Sequence, residues 1–330
     1  MKLSGLILSL FIFLAPISQA QWSPLRRIST AGGGYNPDII ANGDTLHAVY
    51  EGLASFGRTV VWHVRSLDGG RTWSTPQIIT DTANTNSIDF PKVAIYQNKV
   101  AIFWKQNFIR GYIRDNIGFR LSIDGGIRWA NCRYILNPNA EFLEYYDIAV
   151  SDSIINAVYA HQEETYYYHF TYIRSTDFGS TWSSPQEIFQ SEDAGTLAAA
   201  SYGDRVNVVW TGNFDYNRHW EVYQFRSTDG GISWSGNDTI TAPSDNISSI
   251  FPKLAVDETG KLYLAWNDLR YSPNFGAGDI FLESSADGGI IWSSPQEVTF
   301  THFVWEPTIL AFSDSIFIAW QDDRNHYPSV

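Results

Sequence analysis

Ser66-Leu67-Asp68-Gly69-Gly70-Arg71-Thr72-Trp73 decides the fold, because the chain repeats it. It returns as Ser122-Ile123-Asp124-Gly125-Gly126-Ile127-Arg128-Trp129 and as Ser175-Thr176-Asp177-Phe178-Gly179-Ser180-Thr181-Trp182. The fourth and fifth copies are Ser227-Thr228-Asp229-Gly230-Gly231-Ile232-Ser233-Trp234 and Ser285-Ala286-Asp287-Gly288-Gly289-Ile290-Ile291-Trp292. All five fit S-x-D-x-G-x-x-W, with the Asp positions 52 to 58 residues apart. A near-constant period of that length marks a propeller or a solenoid, one supersecondary unit per period. Asp followed by Gly-Gly is a tight-turn signal, since Gly reaches φ > 0 without cost and Asp bonds its own backbone. β-type runs flank the first copy, Val60-Val61-Trp62-His63-Val64 before it and Ile78-Ile79-Thr80 after it. Each copy therefore reads as a hairpin corner covered by its Trp. Asp68, Asp124, Asp177, Asp229 and Asp287 are then structural turn residues.

This pattern resembles the Asp-box, or BNR, repeat of the sialidase superfamily, and the resemblance covers residues 21–330. Around it each period reads as four strands, A to D. Strand A follows an X-Pro pair in Asn36-Pro37, Phe90-Pro91, Phe251-Pro252 and Glu306-Pro307; Pro is tolerated where a strand starts and needs no ladder donor. Strand B is a near-continuous apolar run such as Val100-Ala101-Ile102-Phe103-Trp104, as expected of a strand buried on both faces. Strand C leads into the box and D leaves it. Pro76, Pro185 and Pro295 in the body of D mark an edge strand at the rim. Counting A–B pairs gives six blades, so the expected fold is an all-β, six-bladed β-propeller with five Asp-box hairpins. Gln21-Trp22-Ser23-Pro24-Leu25-Arg26-Arg27-Ile28 reads as a D strand without a box, placed to close the last blade. That blade reads as incomplete at the C-terminus, since only ten residues follow Trp320.

Residues 1–20 read as a secretory signal: Lys2, an apolar run from Leu6 to Leu14, then Ser18-Gln19-Ala20 as the cleavage site. The expected location is therefore secreted, periplasmic or extracellular, with no membrane span and a monomeric state. Cys132 is the single cysteine, which rules out an intramolecular disulfide. A formal net charge of −13 argues against nucleic acid and anionic membranes as partners. No cofactor and no metal are expected, since His161 and His326 lack ligand spacing.

In a blade, the B–C and D–A connections share one face, and the Asp boxes line the other. The B–C loops hold the polar residues that could act. As a ligand-binding set they offer Trp266, Asn267, Asp268, Arg270, Gln321, Asp322 and Arg324, with stacking faces and hydrogen-bonding groups suited to a glycan. The bland reading of these Asp and Arg residues is mutual pairing that ties loops together. The resemblance implies that true sialidases use three arginines, an Asp acid/base and a Tyr nucleophile assisted by Glu. Asp268, Arg218, Arg270, Arg324, Tyr145, Tyr146 and Glu306 are the residues here that could fill those roles. The Arg-Ile-Pro element of those enzymes has its nearest counterpart in Arg27-Ile28-Ser29, which lacks the Pro. The favoured function is recognition of an extracellular ligand, a glycan first. An exo-α-sialidase or related glycoside hydrolase is the alternative, and a protein-interaction propeller, as in sortilin-type receptors, is the third class.

Overall fold

The computed structural model describes residues 28–29, 34–54, 57–81, 87–108, 114–135, 142–162, 167–213, 219–241, 247–270, 278–312 and 315–322. The leader and most of the closing strand, residues 22–27, lie outside them. The described chain is all β. Blade 1 is β1 (Tyr35–Asn42), β2 (Thr45–Leu53), β3 (Thr59–Ser66) and β4 (Gln77–Ile78). Blade 2 is β5 (Ser87–Tyr96), β6 (Lys99–Phe108), β7 (Arg114–Ser122) and β8 (Arg133–Ile135). Blade 3 is β9 (Phe142–Ser151), β10 (Ile154–Gln162), β11 (Tyr168–Ser175) and β12 (Gln186–Ser191). Blade 4 is β13 (Leu197–Tyr202), β14 (Arg205–Gly212), β15 (Glu221–Ser227) and β16 (Ser235–Thr239). Blade 5 is β17 (Ser249–Val256), β18 (Leu262–Asp268), β19 (Asp279–Ser285) and β20 (Gln296–Glu297). A two-stranded sheet, β21 (Val304–Phe312) with β22 (Ser315–Asp322), follows. All neighbours within a sheet are antiparallel and sequential, and the first strands β1, β5, β9, β13, β17 and β21 pack against one another in that order. The fold is thus a β-propeller of five four-stranded blades with one further hairpin.

The core lies between blades. Val49 and Val61 of blade 1 pack with Val93, Ile102 and Trp104 of blade 2. Phe170 and Tyr172 of blade 3 meet Val208, Trp210 and Phe225 of blade 4. The aromatic that ends strand B is 0–3 % exposed in Tyr50, Trp104, Tyr159, Trp210 and Trp266, but 40 % exposed in Trp320 of the two-stranded sheet.

The five boxes are C–D turns. Ser66 Oγ accepts from Gly70 N (2.8 Å) and donates to Asp68 Oδ1 (2.8 Å), while Thr72 N and Oγ1 donate to the same carboxylate. Those bonds, from Thr72 first and then Ser66, pull the Asp68 pKa down to about 2. The Trp does more than cover its own hairpin. Trp129 stands edge-on to His63 of blade 1 (5.1 Å), Trp182 edge-on to Phe119 of blade 2 (5.7 Å), and Trp234 edge-on to Tyr172 of blade 3 (4.9 Å). The second, third and fourth boxes are thereby seated on strand C of the blade before them, and the fifth through Trp292 Nε1 donating to Gln224 Oε1 (3.1 Å). The carbonyls of Gly125 and Gly230 accept from Arg65 and Arg174 of the preceding blade, both at 2.9 Å. Strand D begins after the box Pro rather than around it, as in β4 and β20, although it is the outermost strand as expected. Pro supplies no donor, so pairing resumes only beyond it.

Beneath the boxes seated on blades 1, 3 and 4, strands B and C present a buried polar pair; on blade 2 Phe119 takes that place. In blade 3 Tyr172 donates to Asn156 Oδ1 (2.7 Å), and in blade 4 Gln224 donates to Asn207 Oδ1 (2.8 Å). Blade 1 uses two histidines instead: His47 Nδ1 and His63 Nε2 are 2.9 Å apart and their rings stack at 14°. Burial, with Arg65 nearby, lowers His47 to about 4; burial, then His47 and Arg65, lowers His63 to about 3. Both rings are therefore neutral in the fold, while the unfolded chain takes up protons below about pH 6.5. The native state binds fewer protons than the unfolded state from there down to about pH 4, so stability falls with pH across that window. Replacing the pair by that of blade 4, His47→Asn with His63→Gln, should remove this loss. At pH 5, relative to pH 7.5, the double variant should keep about 2 kcal/mol or more that the parent forfeits. Parallel denaturant titrations at the two pH values measure it; equal pH dependence in both proteins contradicts the assignment.

Candidate functional site

Four inner strands share an irregularity at the face opposite the boxes. The pairings β1–β2, β5–β6, β17–β18 and β21–β22 each slip register across the X-Pro pair. The residue before the Pro adopts a left-handed backbone: Asn36 (φ 46), Phe90 (φ 54), Phe251 (φ 54) and Glu306 (φ 43). The X-Pro pair is therefore a bulge inside strand A, which starts before it, and does not open the strand as the sequence suggested. A bulge leaves a residue unpaired, so a Pro without an N–H fits there as well as at a strand start. Left-handed backbone in a bulky residue such as Phe is a costly conformation, found where surrounding structure enforces it. Cross-strand partners put these bulges beside the ends of strand B: Tyr35 faces Glu51, Asp89 faces Lys105, and Trp305 faces Gln321. They ring the mouth of the propeller on its B–C side.

Glu51 knits the mouth together. Its Oε1 accepts from Asn36 Nδ2 (2.8 Å) and from Phe90 N (2.5 Å), and Phe90 O accepts from Tyr146 Oη (2.5 Å). Burial raises the Glu51 pKa, against the lowering by those two donors. Tyr146 is raised well above the usual tyrosine value, first by burial and then by Asp147, Asp38 and Glu51. Tyr146 is buried within β9 with its hydroxyl committed to a carbonyl, whereas Tyr145 beside it is half-buried. Glu306 is exposed at its bulge.

In the B–C loop of blade 5, Arg270 Nε and Nη2 each reach Asp268 at 2.8 Å, and the guanidinium lies 4.3 Å from the Phe281 ring. Asp268 is 2 % exposed. Trp266 is packed between blades 4 and 5, and Asn267 is buried with Nδ2 donating to Val304 O (2.8 Å). Of this set Arg270 and Gln321 retain surface. Arg218 and Arg324 lie outside the described residues, as does the side chain of Asp322.

Sequence reasoning missed a ring one residue below the bulges. Asp38, Lys92, Asp147, Ala198, Lys253 and Thr308 occupy the same register, each opposite the penultimate residue of its strand B run. Asp38 Oδ2 accepts from Val93 N of blade 2 (2.7 Å), and Asp147 Oδ2 accepts from Ala199 N of blade 4 (2.9 Å). Lys92 Nζ meets Asp147 Oδ1 at 2.8 Å. These groups lie deep among protein atoms yet keep some surface on the axial channel. Burial raises the Asp38 pKa. It opposes the Lys92 ammonium too, but Asp147 and Asp38 outweigh it and hold that pKa above the usual lysine value. The signal was present: each residue follows the Pro or its equivalent in strand A.

With this geometry in view, comparison with solved structures is informative about the fold. A Hadza microbial sialidase, Hz136, superposes with a TM-score of 0.56 at 16 % identity over 84 % of this chain. A Dyadobacter fermentans protein of unknown function gives 0.62 at 13 % identity, covering 87 % of this chain and 90 % of its own. An ulvan lyase of polysaccharide lyase family PL25 gives 0.55 at 13 %, covering 87 % and 81 %. The chain spans 61 % of the length of the Hadza sialidase. No protein-family model matches the sequence, and no curated protein does. The protein has the sialidase-like β-propeller fold. Among the described residues no group of three or more His, Cys, Asp or Glu side chains is placed to hold a metal.

A strongly raised carboxyl lies away from the mouth. Glu283 on β19 is 5 % exposed, shares the sheet face of Phe281 toward blade 4, and has no hydrogen-bond partner at Oε2 among the described residues. Burial alone raises it to about 7. The folded state holds this proton while the unfolded chain releases it above about pH 4.5, so the buried carboxyl costs stability progressively from there to pH 7. Glu283→Gln should be near neutral at pH 4 and should stabilise by roughly 2–4 kcal/mol at pH 8. Denaturant midpoints at both pH values decide it, and a variant that is less stable at pH 8 would refute a proton-holding Glu283.

Proposed function

We propose that the protein is an exported, monomeric six-bladed propeller that binds an extracellular glycan at the mouth ringed by the four bulges. One observation carries this reading: Phe90 and Phe251, from opposite blades, are held in left-handed backbone at the mouth, and Phe90 is 45 % exposed. Backbone strain of this kind gathers at ligand clamps, and an exposed aromatic face is a stacking platform for a sugar ring. Two relatives by fold support the substrate class, one a sialidase and one an ulvan lyase. Binding is favoured over sialidase hydrolysis by the committed groups, since Tyr146 bonds a carbonyl and Arg270 is closed on Asp268.

On a glycan array the protein should be retained by a defined subset of sugars, and Phe90→Ala should weaken that binding roughly tenfold at unchanged melting temperature. A fluorogenic sialoside should not be turned over above background. Turnover lost in Arg270→Ala would instead favour the hydrolase, and an array without any bound sugar would favour a peptide ligand.

The sixth blade in this reading is the β21–β22 sheet with residues 22–28 as its outer strand. Ile28 supports it by packing on Ala48, Tyr50 and Val64, the face of blade 1 turned away from blade 2. Hydrogen exchange of the amides of residues 22–28 should then be slowed to the level of strands such as β4; exchange at the rate of free peptide would exclude the closure.

A further inference from the structure

A buried carboxylate fixes the connection from β20 to β21. Asp279, which opens β19, is 0 % exposed. Its Oδ1 accepts from Thr299 Oγ1 (3.0 Å), Thr301 N (3.0 Å) and His302 N (3.1 Å), and its Oδ2 meets His302 Nδ1. Blade 4 uses the first of these bonds too, Thr241 Oγ1 donating to Glu221 Oε2, so the anchor itself is a structural device. What blade 5 adds stands at the surface. His302 is held in left-handed backbone (φ 61) with 44 % of its side chain exposed, and Phe300 in the same loop is 70 % exposed. Asp268 is the cross-strand partner of Asp279, so both carboxylates rise from the face of Trp266 and Phe281. The Cβ atoms of such partners are about 5 Å apart. Asp268 holds Arg270 through Nε and Nη2 as Asp279 holds His302, and 31 % of the Arg270 side chain is exposed. Two polar side chains, each aimed by a buried carboxylate, thus stand side by side at the mouth end of blade 5.

A carboxylate offers only acceptors, so Nδ1 of the neutral His302 ring carries the proton and Nε2 is an acceptor. Arg270 has only donors. An acceptor beside a cationic donor suits neither an anion, which Nε2 repels, nor a cation, which Arg270 repels. Adjacent hydroxyls of a neutral sugar suit both. We propose that Arg270, His302 and Phe300 form a second subsite, for a neutral sugar, on blade 5. Phe300 stacks on the sugar ring; one hydroxyl accepts from Arg270 and the adjacent one donates to His302 Nε2. Ser249 of β17 pairs with Asp268, and neighbouring strands are about 4.8 Å apart, so Asp279 lies about 10 Å outward from the inner strand. That distance spans about two sugar rings. The ligand is then a chain of neutral sugars running from Phe251 at the mouth outward over blade 5, and not one terminal sugar. The chain rests on the glycan reading of the mouth; the subsite does not.

The test uses the full protein on an array of cello-, malto-, manno- and xylo-oligosaccharides, each from monosaccharide to hexasaccharide. In at least one series retention should rise about tenfold from disaccharide to trisaccharide, as the second subsite fills. Phe300→Ala should lose that gain at unchanged melting temperature, with disaccharide retention as in the parent. His302→Gln, whose amide can still donate to Asp279, should lose it too. Phe90→Ala should lower retention at every length. Retention that is equal at every length in the parent and both blade 5 variants overturns the subsite and leaves the mouth reading standing. Losses in Phe300→Ala and His302→Gln that are as large for disaccharides as for longer chains merge these residues with the mouth, and overturn a second subsite. A gain that depends on Phe300 and His302 while Phe90→Ala has no effect leaves the subsite standing and removes the mouth reading. No retention of any series by the parent overturns both.

Discussion

The glycine at the fifth position of the second to fifth Asp boxes, pressed against the blade before it, is the contact on which the ring depends. At Gly231 a Cβ would come within 2.1 Å of Tyr172 Cε1, and the backbone there has φ +83, so both space and conformation demand glycine. At Gly126 the same approach is made to the rings of His63 and His47. Because no side chain intervenes, the box carbonyl reaches the arginine of the preceding blade and the box Trp closes over the polar pair beneath. Sheet packing then follows, since adjacent blades can lie close only where a backbone, and not a side chain, fills the gap.

A second constraint acts at the other end of the same strands. In four of the strands the bulge at X-Pro shortens the ladder by one residue just before the Asp and Lys ring; Asp147 reaches the same register without an X-Pro pair. At Asp38 and Asp147 the ring side chain clamps the next blade through a backbone amide; at Lys92 it pairs with a neighbour. Where blade 4 offers Ala198 and the last sheet offers Thr308, the clamp is missing. Box and ring thus hold the boundaries between blades 1 and 2, 2 and 3, and 3 and 4 at two heights.

Much of this was legible in the sequence because it repeats. The five boxes, the four-strand period and the order of strands within a blade follow from S-x-D-x-G-x-x-W and the apolar B runs alone. The role of the box Trp was not legible, since a hairpin lid and a contact to the neighbouring blade use the same residue at the same place. The X-Pro pairs were seen but read as strand starts, because a bulge and a strand end look alike when only the missing donor is considered. Asn267 and Asp268 follow the strand B run that ends at Trp266, yet they are buried: β18 extends to Asp268, so two residues that read as loop lie in the sheet. The axial ring needs six strands in register before it exists, and no local pattern announces it.

Seating each box on the blade before it gives the ring a direction that bears on biosynthesis. The polar pair of blade 1 stays open to water until Gly126 and Trp129 have been made, roughly one period later, and that of blade 3 waits in the same way for Gly231 and Trp234. A growing chain therefore completes each unit only with the help of the next, in step with its emergence from the ribosome. Among the described residues, Trp320 of the β21–β22 sheet is the one strand-ending B aromatic left at the surface.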